Sequence, residues 1–234
     1  MVSAIRMFLM IFWTFSLMII APLFIPFTFN RQFPLFVARV LFAPVLMRIT
    51  GIKLKTVGRE NVPQNEPLIF VANHCSHLDI ACLCNAIPVN LHFIGKKELM
   101  WTPVVGWYML VAGHIFIDRK SRVKAAVSLK KAAEKIRQGK SVVMYPEGTR
   151  STTGEVGPFK KGAFHLAQQA GVKIVPVSIN GTYQVWSKNA KKITPGEVIV
   201  RIGKPIDPSE YTEDDLKDLV ASARAAIIDM HCTS

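Results

Sequence analysis

Acidic residues are scarce: 16 Asp and Glu stand against 29 Lys and Arg, leaving a formal charge of +13 on 234 residues. Charge of either sign is also sparse, at 19% of residues, while 50% are hydrophobic. That balance excludes a disordered polycation, which has too few large apolar side chains to build a core. Cysteine is confined to positions 75, 82, 84 and 232. Such clustering is not the spacing of a disulfide-stapled secreted scaffold, and it indicates reduced thiols on a cytosolic face. Internal repeats, low-complexity tracts and an interdomain linker are missing. The length fits one ordinary domain plus an extension, because single cores become inefficient only beyond ~250 residues. The excess of cations leaves two partner classes, nucleic acid and an anionic lipid surface.

Residues 7–29 separate those classes, because they carry no charge at all and are bounded by Arg6 and Arg31. No nucleic-acid module needs such a run. It is long enough to reach across a bilayer, for which ~20 apolar residues are required, but Pro22 and Pro26 interrupt its second half. The charged start and apolar centre resemble a signal peptide, yet no small-x-small cleavage pattern follows, and a second apolar run over residues 33–47 comes directly after. Arg6, Arg31, Arg39 and Arg48 are the only charges in the first fifty residues, placed where they can meet phosphate headgroups. The expectation is an N-terminal apolar segment, residues 1–50, of two helices that dip into one leaflet. A single spanning helix followed by a surface helix is the alternative.

From residue 51 onward the texture becomes α/β. Residues 67–72, 91–95, 114–117, 142–145, 174–179 and 198–202 are short, rich in Val, Ile and Phe, and mostly bounded by Gly, Pro, Asn or Lys, which marks strands. Residues 121–137, 158–170 and 212–230 carry apolar side chains at helical spacing. Strands alternating with helices predict a largely parallel central sheet flanked by helices over residues 51–234, with ligands gathered at the carboxyl ends of the strands.

The chemistry concentrates after the first of these strands, in Asn73-His74-Cys75-Ser76-His77-Leu78-Asp79. On one continuous helix, residues five apart point ~140° apart and do not meet. If Ser76 caps a helix, His74 lies in the preceding loop and Asp79 in the first turn, where the carboxylate stays ionised and can hold one imidazole nitrogen. The other nitrogen is then free to act as a general base. The same Ser-x-x-Asp is also a plain capping box. Cys75 and Ser76 are weak nucleophile candidates, since no Gly-x-Ser-x-Gly elbow is present. His74, His77, Cys82 and Cys84 match no structural zinc spacing, and no metal is expected. Gly139-Lys140-Ser141 ends like a phosphate loop but lacks its upstream glycine, Glu134 standing in that place.

A second cluster, Tyr145-Pro146-Glu147-Gly148-Thr149-Arg150-Ser151, also follows a strand. Its glycine permits close backbone approach and its arginine offers a fork that fits a phosphate monoester; a strand-end turn with an internal Glu147–Arg150 pair explains it equally. A third, Gly113 to Arg119, reads as a strand ending in an Asp118–Arg119 ion pair. Residues 119–140 then hold nine Lys or Arg and one acid, a pattern that suits a solvated face, an anionic surface or an acidic carrier protein.

Asn-His-x-x-x-x-Asp at 73–79, Gly-x-Ile-Phe-Ile-Asp-Arg at 113–119, Pro-Glu-Gly-Thr-Arg-Ser at 146–151 and Ile-Val-Pro-Val at 174–177 resemble, in order, the four blocks of the glycerolipid acyltransferases, and among them the bacterial 1-acyl-sn-glycerol-3-phosphate acyltransferases. The resemblance covers residues 66 to about 205; it departs at Tyr145, where Phe is usual, and includes Lys96, where that family places a basic residue. It implies transfer of a fatty acyl group from an acyl carrier protein or coenzyme A thioester to the 2-hydroxyl of lysophosphatidate, giving phosphatidate for phospholipid biosynthesis. His74 would be the general base and Asp79 its partner. Lys96, Arg119, Glu147, Gly148, Thr149 and Arg150 would hold the glycerol-phosphate end. Residues 101–117 are candidates for the acyl groove. The implied setting is the cytoplasmic face of the inner membrane, with lipid and carrier protein or coenzyme A as partners, no nucleic acid and no cofactor beyond the thioester co-substrate. An acyltransferase acting on another lyso-lipid shares every motif, and a noncatalytic basic membrane-bound protein is the reading from another class.

Overall fold

The six runs rich in Val, Ile and Phe all form strands, and a seventh strand precedes them. A computed structural model describes residues 2–118, 120–212 and 214–232. Its strands are β1 (Ile52–Val57), β2 (Ile69–Ala72), β3 (Leu91–Lys96), β4 (Ile115–Ile117), β5 (Ser141–Met144), β6 (Ile174–Asn180) and β7 (Gly196–Ile202). They form one sheet in the order β1-β7-β6-β2-β5-β3-β4. β6, β2, β5, β3 and β4 run parallel. β7 joins β6 antiparallel and β1 then pairs parallel with β7, so the last two strands run the other way. The sheet is thus largely parallel, with a reversed edge pair.

The helices are α1 (Val2–Leu23), α2 (Ile25–Thr28), α3 (Phe33–Val37), α4 (Ala43–Thr50), α5 (Asp79–Ala86), α6 (Val105–Val111), α7 (Arg122–Arg137), α8 (Gly162–Ala170), α9 (Thr182–Trp186) and α10 (Leu216–Cys232). A wide π turn, Ala38–Phe42, joins α3 to α4. Pro44 explains it, because a proline in the first turn of α4 has no N–H to donate backwards and its ring crowds the carbonyl four residues earlier.

Side-chain alternation along the strands divides the interior into two cores. Phe70, Ala72, Val143, Val175, Val177 and Ile179 point to one face of the sheet, where they meet α4 and α5 and the Met10 side chain of α1. Ile69, Val71, Val142 and Ile174 point to the other, against α7, α8 and α10. This is the period of two that a pleated strand imposes.

The N-terminal segment is a hairpin laid on the first face. α1 packs against α3 and α4, and Trp13 Nε1 donates to Phe42 O at 3.3 Å. Ala43, Leu46 and Met47 of α4 are buried in the first core, and Ile193 N donates to Ser3 Oγ at 2.8 Å. Gly51, at φ +76°, ends α4 in the left-handed conformation and turns the chain into β1. Both ends of the hairpin therefore meet the α/β domain. Val2–Leu23 and Phe33–Thr50 have mean hydropathies of 2.0 and 1.6, enough by length and composition to cross a membrane. The outer side of α1 exposes Phe8, Phe12, Phe15 and Ile19, and the turn exposes Phe27 and Phe29.

Phe164 of α8 is fully buried in the second core. Phe164→Ala should lower unfolding free energy by ~3–5 kcal/mol. Thermal unfolding followed by circular dichroism checks this, at ~2–4 °C of Tm per kcal/mol for a chain of this size.

Candidate active site

The first and second sequence clusters meet at the carboxyl edge of the parallel strands. β2 and β5 are hydrogen-bonded neighbours, so the segments that leave them lie side by side. Asn73 fixes the end of β2: its Nδ2 donates to Ile179 O at 2.8 Å and its Oδ1 accepts from Ile179 N at 2.7 Å. The buried side chain thereby continues the ladder to β6 after the backbone has turned away. His74 follows with its position set.

Asp79 is fully buried at the start of α5. Its Oδ2 accepts from Cys75 N and Ser76 N, each at 2.8 Å, and lies 2.7 Å from His74 Nδ1. An ionised carboxylate only accepts, so Nδ1 carries the hydrogen and Nε2 is the lone-pair nitrogen. Among the described residues Nε2 has no hydrogen-bond partner. The imidazole stacks on Tyr145, with ring centroids 3.9 Å apart at 15°. Its side chain stays 18% exposed, which keeps that free nitrogen within reach of a substrate.

The backbone of His74 is held from the second cluster. His74 N donates to Glu147 Oε1 at 2.8 Å, and Ser151 N donates to His74 O at 2.7 Å. Gly157 N donates to the other oxygen, Glu147 Oε2, at 3.3 Å. Burial pushes the Glu147 carboxyl upward, opposed by those two N–H donors. Both carboxylate oxygens thus face backbone, and among the described residues no Glu147–Arg150 ion pair is present. Gly148 has φ +78°, and a Cβ there would lie 2.8 Å from Lys160 Nζ. The backbone angle is what calls for glycine, since the Lys160 ammonium ends a flexible side chain that can move aside.

Thr149 is exposed and Arg150 half-buried on the same turn. The positive charge of Arg150 lies close enough to His77 to depress that imidazole, after burial as the first cause. Lys96, exposed at the end of β3, stands on the same sheet edge. Arg119 lies outside the described residues. Asp118 pairs with Lys97, Nζ to Oδ2 3.2 Å, and accepts from Lys120 N at 3.1 Å; the expected pair with Arg119 lies outside the described residues. Ser76 and Asp79 make the reciprocal bonds expected of Ser-x-x-Asp: Ser76 Oγ accepts from Leu78 N at 3.2 Å and Asp79 Oδ2 accepts from Ser76 N at 2.8 Å. The same hydroxyl donates to Trp186 O at 2.7 Å, and regular helix α5 starts at Asp79.

Cys75 is buried and its thiol is pushed up to about 12, first by desolvation and then by Asp79 and Glu147. Such a thiol is not a nucleophile at neutral pH. Cys82 and Cys84 are buried in the core of α5, Cys84 also pushed to about 12 by burial. Among the described residues no three of His, Cys, Asp and Glu group as metal ligands.

Beside His74 an apolar cavity of about 370 Å³ opens between the hairpin and the first face of the sheet. His77, Leu78 and Trp186 line it near the dyad, while Met18, Phe93 and Tyr108 line it farther in. From residues 101–117 it takes Val105, Tyr108, Met109 and His114, whereas Trp101 and Trp107 are 80% and 62% exposed. His114 is kept neutral, its imidazole held down at about 3 by burial and by His92 and Lys140.

Comparison with known proteins identifies the family to which this fold belongs. The Acyltransferase family model matches residues 53–180, more than half of the chain. The chain belongs to the acyltransferase family. It is 39% identical over 191 residues to the 1-acyl-sn-glycerol-3-phosphate acyltransferase of Saccharomyces cerevisiae, covering 80% of this chain and 63% of that protein. It is 34% identical over 194 residues to the Haemophilus influenzae protein of the same name, covering 82% and 74%. The chain therefore spans less than two thirds of the yeast relative's length. The crystal structure of the 1-acyl-sn-glycerophosphate (LPA) acyltransferase PlsC from Thermotoga maritima superposes with a TM-score of 0.80 at 29% identity, over 100% of this chain and 99% of that one.

The thiol environments generate a direct expectation. Iodoacetamide at pH 8 should modify Cys232, which is exposed, and leave Cys75, Cys82 and Cys84 unmodified in the folded protein. Peptide mass spectrometry after brief labelling reads this out, and modification of Cys75 at a rate near that of Cys232 would contradict the buried, neutral thiol.

Proposed function

We propose that the protein transfers a fatty acyl group from an acyl thioester to the sn-2 hydroxyl of lysophosphatidate, forming phosphatidate. The observation that carries this reading is the dyad beside the apolar cavity: a base with a free nitrogen adjoins a compartment suited to an alkyl chain. The acceptor hydroxyl oxygen attacks the thioester carbonyl carbon as its proton passes to His74 Nε2. Asp79 holds the imidazole by Nδ1 and stabilises the imidazolium that forms. Collapse of the tetrahedral intermediate breaks the C–S bond, and the imidazolium returns the proton to the departing sulfur. No acyl-enzyme is needed, which agrees with the raised thiol of Cys75 and the hydroxyl of Ser76 committed to Trp186 O.

Arg150, with Lys96 on the same edge, meets the acceptor phosphate in this reading, and Arg119 belongs to the same role. Thr149 and Gly148 shape the turn that presents Arg150. Glu147 acts through His74 and is a positioning residue, its carboxylate holding the backbone of the base. Gly148 N is taken by Tyr145 O at 3.0 Å, leaving the Thr149 and Arg150 amides as oxyanion donors. The apolar hairpin docks in one leaflet of the inner membrane from the cytoplasmic face, since both its ends return to the α/β domain.

His74→Ala should reduce turnover by ~10² to 10⁴ with the fold intact, and Asp79→Asn should also be severe, while Cys75→Ala retains substantial activity. The assay is thiol release from an acyl thioester over a panel of lyso-lipids. A different preferred acceptor would reassign the substrate, and loss of activity in a well-folded Cys75→Ala would replace direct attack by a covalent intermediate.

Arg150→Ala removes a charge-assisted contact worth ~1.5 to 3 kcal/mol. That is about a 10- to 150-fold loss in acceptor kcat/KM, with donor kinetics little changed and only partial rescue by Arg150→Lys. Equal effects on both substrates together with a lowered Tm would make Arg150 a structural residue of the turn.

A further inference from the structure

The cations of α7 have no task in the reaction outlined above. The second half of the helix is anchored, with Ala132, Ala133 and Ile136 buried in the second core. The first half is held only on its inner side, where Leu129 packs against that core and Ser128 Oγ accepts from Asp118 N at 3.3 Å. Val123 and Val127 are 75% and 53% exposed, four residues apart on one side of the helix, among the exposed Lys124, Lys130 and Lys131. Among the described residues Lys124, Lys130, Lys131 and Lys135 make no ion pair. Glu134 is the one acid in the helix sequence. Among the described residues nothing covers the outer side of this half, so its two valines stand in water between unpaired lysines.

Two features of the fold say what such a face meets. First, α7 packs on the sheet face opposite the one that carries the hairpin. The sheet stands between these lysines and the apolar surface of α1, so they are not turned toward the same membrane. Second, the start of α7 lies on the rim of the site. β4 runs parallel to β3, β3 to β5 and β5 to β2, which puts the end of β4 on the same edge as His74. Three strand positions separate them, roughly 14 Å at ~4.8 Å per strand. Ser121 then caps α7 there, its Oγ accepting from Lys124 N at 3.2 Å.

The cations are also spread along a helix of about 24 Å, at 1.5 Å per residue, with the apolar pair between them. A lone phosphate group calls for convergent donors, whereas an acidic protein surface with an apolar centre matches a distributed stripe of this kind. We propose that the exposed face of α7 docks a small acidic carrier protein that bears the acyl thioester on a flexible arm. The carrier sits on the aqueous side of the sheet and the arm crosses the rim to His74. This rests on the acyl-transfer reading and assigns its donor side.

The test uses the full chain in lipid vesicles containing lysophosphatidate, with palmitoyl-acyl carrier protein or palmitoyl-coenzyme A as donor. The variants are Lys124→Glu/Lys131→Glu/Lys135→Glu and Val127→Ser, each checked for an unchanged Tm. The triple variant should lose roughly tenfold or more in kcat/KM for the carrier-borne donor and less than about twofold for the coenzyme A donor. Added salt should weaken carrier kinetics in the unaltered protein and have little effect in the triple variant. Val127→Ser should reduce carrier kcat/KM several-fold while leaving the salt dependence in place. Binding of fluorescently labelled holo-acyl carrier protein, measured alongside, should be lost in the triple variant.

Unchanged carrier kinetics, equal losses with both donors, turnover of coenzyme A thioesters alone, or a loss of binding to anionic vesicles in place of the carrier effect would each overturn the docking surface. Failure of the unaltered protein to bind holo-carrier would do the same. If neither thioester is consumed while holo-carrier still binds through α7, the acyl-transfer reading fails and the surface stands.

Discussion

A carboxylate with no exposure to water organises this site. Burying an ionised Asp79 without partners would cost far more than the fold can spare, and the chain answers by wrapping the 74–76 backbone around one of its oxygens. Three donors converge there, two of them backbone amides. The loop has this shape because the charge must be solvated by something, and the imidazole is the third member of that solvation shell. Its orientation is thus a by-product of satisfying the aspartate. The supports further out serve the same end: Asn73 stops β2 at a fixed point, Tyr145 covers one side of the ring, and Glu147 takes the one backbone N–H of His74.

Much of this was legible in the chain and some was not, for identifiable reasons. The six strands from β2 to β7 announced themselves by runs of Val, Ile and Phe, most plainly β2 and β6, which are buried on both faces. β1 did not, since Lys53 and Lys55 alternate with Ile52 and Leu54 on an edge strand with one wet face; a period of two was there to be read. The reversal of β7 left no mark, because the residues between β6 and β7 fit either direction. The dyad was visible as two chemically apt residues five apart. The capping bonds of Ser76 and Asp79 were legible too, whereas the bond from Ser76 Oγ to Trp186 O, 110 residues away, was not. The hold of Glu147 on the backbone could not be read from the chain, because His74 N and Gly157 N are groups that carry no residue signature. Asn73 did carry a signal, as a polar residue at the end of an apolar strand, that the motif alone did not use.

The sheet gives the protein two unlike sides. On one, the hairpin, α5 and α6 enclose an apolar cavity and present phenylalanines and tryptophans outward. On the other, α7, α8 and α10 present a charged surface. The carboxyl edge of the parallel strands is where the two sides meet, and a base placed there faces an apolar compartment and an aqueous rim together. The acyl-transfer reading proposed above calls for that adjacency. A parallel sheet supplies it, because successive strands all deliver their loops to one edge.

The hairpin also bears on how the molecule is made. Residues 2–50 leave the ribosome before β1, α5 and α6, so α4 emerges with Leu46 and Met47 bare and their partners still untranslated. The apolar surfaces of α1 and α4 need a temporary solvent during synthesis, and a lipid leaflet is one. On the membrane-docking reading proposed above, the bilayer serves first as a folding template, and the α/β domain assembles upward from helices already lying in it.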